Sequence, residues 1–131
     1  MASEGEFPKA DGDILYGSEA NDFYNYPKVL YYGTGGNFTP TKTDSMIVIT
    51  AAGTIGGSSG GTGEFTGSAT LTVDGSSVHA VSAQFDTYGT PPNTGNVPFS
   101  LLYKTEDMAM SAVPVAIVGA SGNILVMEYL K

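Results

Sequence analysis

The chain has 131 residues and a formal net charge of −8, from thirteen acids against five lysines, with no arginine and no cysteine. These values exclude a disulfide framework and a thiolate metal site. They also argue against nucleic acid as a partner, since phosphate backbones are held by Lys and Arg. With 41% apolar and 14% charged residues the chain is too hydrophobic for disorder, and its 18 glycines suit one all-β domain with many turns.

Residues 1–12 read as a loose N-terminal arm, ahead of a single β-sandwich domain over residues 13–131. Residues 1–15 lack the basic start and apolar run of a signal peptide. No apolar stretch approaches the ~18 residues of a membrane span. The expectation is synthesis in a cytoplasm and no membrane contact. Ser18 is a plausible helix N-cap, with Glu19 and Asp22 near the positive end of the helix dipole. The short helix, residues 19–24, stops before Pro27. Residues 16–32 carry a run of rings: Tyr16, Phe23, Tyr24, Tyr26, Tyr31 and Tyr32. They read either as packing for the helix on the sandwich or as a contact surface, with Tyr24, Tyr26, Tyr31 and Tyr32 the partner contacts.

Residues 29–33 form a short strand, and residues 33–45 are turn-rich. Residues 45–51 are a continuous apolar run, which predicts a central strand covered on both sides. Residues 53–67 are glycine-rich but lack the Gly-Lys-Ser/Thr ending of a phosphate loop, so they read as a connection. Asp74-Gly75 fits a two-residue type I′ turn. It pairs Val73 with Ser76, Leu71 with Val78 and Ala69 with Ala80, and sets Thr70 opposite His79, which then faces solvent. Beyond Ala80 the alternation changes phase, which predicts a bulge or a new partner near residues 80–82. Residues 86–98 are a loop in which Tyr88 and Asn93 are candidate glycan contacts. Residues 98–104 are a strand with Phe99, Leu101 and Tyr103 on one side.

Residues 113–118 and 124–130 read as a final hairpin, apolar on both faces, with Pro114 at an edge or bulge. Val113, Val115 and Ile117 alternate with Ala112, Ala116 and Val118. On the return strand Leu125, Met127 and Tyr129 oppose Ile124, Val126 and Leu130, with Glu128 the lone charge. A half-exposed strand alternates apolar with polar residues. A ribbon that does not must be covered by a second sheet or a second copy. Val113, Val115, Ile117, Leu125, Met127 and Tyr129 are therefore the candidate oligomer interface.

Reactive chemistry is sparse. His79 is the single histidine, so neither a transition-metal site nor a shared base for the serines is expected. Asp11, Asp13, Glu19 and Asp22 could offer oxygen ligands to Ca²⁺, but not at EF-hand spacing. Glu106-Asp107 reads as a solvated turn rather than a glycosidase pair. No cofactor, metal or catalytic residue is expected.

The stretch Gly12-Asp13, Ile14-Leu15 and, after a short gap, a small helix carrying Asn21 resembles a segment near the start of bacteriophage tail-fibre and related virion proteins. The resemblance covers about fifteen residues. It implies an antiparallel, jelly-roll-like β-sandwich with one short N-terminal helix, trimeric and non-enzymatic, serving in a virion as a decoration, head-fibre or small tail component. Its partners would be copies of itself and other virion proteins. A carbohydrate- or receptor-binding module on a host glycan, and a strand-donating filament subunit, are the alternatives.

Overall fold

A computed structural model describes residues 2–57, 63–86 and 95–131. One helix, α1 (Gly17–Asn25), precedes eight strands: β1 (Lys28–Gly33), β2 (Gly35–Phe38), β3 (Met46–Gly57), β4 (Glu64–Val73), β5 (Ser76–Asp86), β6 (Gly95–Glu106), β7 (Val113–Val118) and β8 (Ser121–Tyr129). They form two four-stranded antiparallel sheets, ordered β1-β8-β3-β6 and β2-β7-β4-β5. This is the interleaved order of a jelly roll. Only β4 and β5 are consecutive strands paired in one sheet; every other connection crosses to the opposite layer.

The core follows from period-two alternation in each layer. Ile47, Ile49, Ala51 and Ile55 of β3, Phe99 and Leu101 of β6, and Ile124 and Val126 of β8 point inward from the first sheet. Phe38, Ala69, Leu71, Val73, Val113 and Val115 meet them from the second.

The Asp74-Gly75 turn has φ of 55° and 81° at its two central residues, as a type I′ turn requires. Its first pair, Val73–Ser76, matches the sequence reading and Thr72–Ser77 follows it, but the bulge comes earlier than predicted, at Val78. Leu71 therefore pairs with His79, Thr70 with Ala80 and Ala69 with Val81. The extra residue moves Val81 and Ala83 onto the core face, which is why the alternation changes phase.

The predicted terminal hairpin does not form. β7 lies between β2 and β4 in one sheet, and β8 lies between β1 and β3 in the other. Gly119, at φ +88°, lets the chain turn the corner between layers; a Cβ there would sit 2.5 Å from the Ser68 carbonyl oxygen. Pro114 is therefore not on an edge. Its carbonyl accepts from the Asp74 amide at 2.9 Å, one position past Val73–Val115, the last β4–β7 pair. The short strand β2, built from Gly-Gly-Asn-Phe, lies inside the stretch read as turns; it forms by pairing with β7.

Candidate assembly surface

The outer face of the β1-β8-β3-β6 sheet carries no further layer from the described residues. Register fixes what it presents. One cross-strand row runs Val29, Met127, Val48, Lys104, and the next runs Tyr32, Leu125, Thr50, Leu102. A third carries Tyr129, Met46 and Glu106. Val29, Tyr32 and Leu102 are 56%, 68% and 52% exposed, while Leu125, Met127 and Tyr129 are half-buried by their neighbours. The expectation that the apolar β3 run is covered on both sides is corrected here: Ile47 and Ile49 are buried on the inner side, but the outer side stays open to solvent at Thr50.

The predicted interface set is split by the absence of the terminal hairpin. Leu125, Met127 and Tyr129 do point outward. Val113 and Val115, at 5% and 2% exposure, face the sandwich interior, and Ile117 packs against the same core. Val113 and Val115 hold the two layers together and are closed off from a neighbouring copy, while Ile117 is partly buried beside them.

The predicted partner tyrosines divide similarly. Tyr24 is 90% exposed and Tyr32 stands on the open face. Tyr31 packs against the core and its hydroxyl accepts from the Gly35 amide at 2.8 Å. Tyr26 is half-buried, with its hydroxyl 2.5 Å from Thr41 Oγ1 and its ring beneath Lys42 Nζ. Tyr88 and Asn93 lie outside the described residues.

The N-terminal segment is not a loose arm, because Glu19 organises it. Glu19 takes the third helical position, and its carboxylate accepts from the Tyr16 amide at 2.8 Å, half of a capping box. It also accepts from the Gly5 amide at 2.9 Å and pairs with Lys9 at 3.0 Å. Lys9 Nζ lies 5.2 Å from the rings of both Phe7 and Tyr16. Burial pushes the Glu19 carboxyl up, but the bonds from Tyr16, Lys9 and Gly5 outweigh it and hold the group below its ordinary value. Ser18 is not the N-cap; it lies inside the first turn and bonds Glu4 instead. The helix is fastened to the sandwich by the Lys42–Asp22 pair at 3.0 Å. A cavity of about 270 Å³ separates them, lined by Phe7, Glu19, Phe23, Lys42 and Leu130 among others.

Sequence reading missed the role of Glu128, which is fully buried. Its carboxylate accepts from Ser45 Oγ at 2.7 Å, from the Thr41 and Lys42 amides at 3.0 and 3.3 Å, and from the Thr41 hydroxyl. It pins the crossover of residues 39–45 between the two layers. Burial raises its affinity for a proton, but the bonds from Thr41, Ser45 and Lys42 prevail and lower its pKa. The signal was a lone acid in phase with the core positions Ile124 and Val126.

Other polar candidates are occupied. Asp13 accepts from the Ala10 amide, and Asp22 and Glu19 hold lysines. Among the described residues no three His, Cys, Asp or Glu side chains gather as a metal ion would need. Lys131 pairs with both Glu106 and Asp107. His79 is exposed but not idle: its Nδ1 lies 3.2 Å from the Leu102 amide, bridging the edges of β5 and β6. A polar hollow of about 490 Å³ lies at the other end of the sandwich, lined by Thr54, Asn96 and Ser121 among others.

Comparisons with protein families, curated proteins and solved structures find no match to this chain.

Proposed function

We propose that the chain is a non-enzymatic structural component of a virion, a decoration, head-fibre or small tail protein that works as a homotrimer. The observation that carries this reading is the open apolar face of the β1-β8-β3-β6 sheet. Contiguous exposed apolar patches of this kind mark interaction sites, and here they lie on a rigid sheet rather than a loop. Two further points support it. Jelly rolls build viral capsid domains, although they also build lectins, so the fold by itself assigns no function. The resemblance of residues 12–21 to phage virion proteins adds the class.

Sedimentation of the purified chain at micromolar concentration tests the assembly. A trimer is expected, and a monomer that finds no virion partner sinks the proposal. Locating the chain on a particle by microscopy tests the setting. The polar hollow at Thr54, Asn96 and Ser121 favours one alternative, a glycan-binding module. Glycan-array hits lost on Asn96→Ala, from a monomeric protein, would favour that alternative.

A further inference from the structure

Resting on the homo-oligomer reading, we infer that residues 2–25 of one copy seat on the outer face of the β1-β8-β3-β6 sheet of the next. The N-terminal segment has its own uncovered apolar side chains: Phe7, Ile14, Leu15 and Phe23 are 50–55% exposed and Tyr24 is 90% exposed. Taking roughly 200 Å² per ring, its three aromatic rings offer about 400 Å². That is half of the roughly 800 Å² per partner of a standard interface before Ile14 and Leu15 contribute. The segment is ordered internally through Glu19 and only lightly fastened to its own sandwich, so it can dock as a preformed unit with little ordering cost.

Charge selects the occupant. Glu4, Glu6, Asp11, Asp13, Glu19 and Asp22 against Lys9 put −5 on residues 2–25, out of −8 for the whole chain. Two such segments repel each other. On the other side, Lys9, Lys42 and Lys131 are all paired within the chain. Lys104 has no partner among the described residues and stands on β6, an edge strand of the open sheet; Lys28, also without one, pairs in register with the inward Glu128 and so lies on the other side of β1. Lys104 shares a row with Val48, Met127 and Val29. Lys104 thus puts an unpaired cation on the open face, beside the apolar rows that would take an acidic segment.

Symmetry agrees with the choice. Packing the open face on itself gives a two-fold dimer, whereas segment-on-face contact that is not reciprocal is heterologous and forms a ring such as a trimer where its rotation closes.

The absence of native cysteine allows a direct test. Full-length Tyr24→Cys and Leu125→Cys proteins are prepared separately, mixed, and oxidised mildly. A disulfide-linked pair containing one chain of each kind is expected. Lys104→Glu should raise the dissociation constant on the order of tenfold, an effect that fades with salt. If the chain is oligomeric but Leu125→Cys links only to itself, the faces meet each other; segment docking is overturned while the oligomer stands. An oligomer with no linked pair of either kind, and an unchanged mass for Lys104→Glu, also overturns docking alone. A chain that stays monomeric overturns both readings.

Discussion

Replacing Glu128 tests how the two layers are joined. The carboxylate receives four hydrogen bonds, from Thr41 twice and from Lys42 and Ser45 once each. Hydrogen bonds to a charged group are worth roughly 1.5–3 kcal/mol each, against about 1 for neutral pairs. Glu128→Gln keeps the shape and one acceptor oxygen, and the two hydroxyls can rotate to meet the new amide. It is therefore expected to cost about 2–3 kcal/mol. Glu128→Ala leaves the Thr41 and Lys42 amides facing an emptied site and is expected to cost about 3–5 kcal/mol. That is a large share of the roughly 5–15 kcal/mol that holds a domain folded. Urea denaturation measures it as a lower midpoint at unchanged slope.

The pH dependence has a definite sign. The folded pKa of Glu128 lies below its unfolded value, about 4.3. Its contribution is complete above that value and is lost as pH falls through the folded pKa. Glu19 is shifted in the same direction, but its partners Tyr16, Lys9 and Gly5 all lie in the N-terminal segment, so its protonation in acid loosens that segment rather than the sandwich. Glu128→Gln should therefore lose most stability at neutral pH and converge on the parent in acid. A variant within about 0.5 kcal/mol of the parent at pH 7, with the same acid limb, would refute the assignment of Glu128 as the pin.

Four further outcomes follow from the geometry. Gly53→Ala would place a Cβ 2.0 Å from the Ser121 carbonyl oxygen and should lower stability by about 2 kcal/mol or more in thermal melts. Gly75→Ala meets no atom within 4 Å but must adopt a φ of +81°, so about 1–2 kcal/mol is expected. Glu19→Gln should speed amide exchange and proteolysis across residues 2–16 without moving the melting transition of the sandwich. Val115→Asp should abolish folding, whereas Leu125→Asp should leave the circular dichroism intact and change only the native mass.

How much of this was legible in the sequence depends on how local the determining interaction is. The Asp74-Gly75 turn and the strands through Ile49, Leu101 and Val126 depend on neighbouring residues, and pattern alone located them. The bulge was legible as a phase change, but two residues late, because Val78 is apolar and looked like a core position either way. The partnering of β7 and β8 was not legible. Two apolar strands separated by a short glycine-containing link can pair side by side or cross between layers, and alternation is the same in both. The alternation within each strand was therefore read correctly, yet Val113 and Val115 were joined to Leu125 and Met127 on one outward surface when they face the sandwich interior. β2 was hidden because Gly35 and Gly36 carry no strand preference of their own. Glu128 and Glu19 were read as isolated acids, since their partners are backbone amides brought close only by the folded crossover and the N-terminal turn.

The central claim is that the open face of the β1-β8-β3-β6 sheet is covered by another copy of the chain. Native mass measurement of the parent beside Leu125→Asp tests it most directly. A trimer for the parent, and a folded monomer for the variant, is the predicted result. A parent that remains monomeric at micromolar concentration, with Val29, Tyr32 and Leu102 open to solvent, would contradict it.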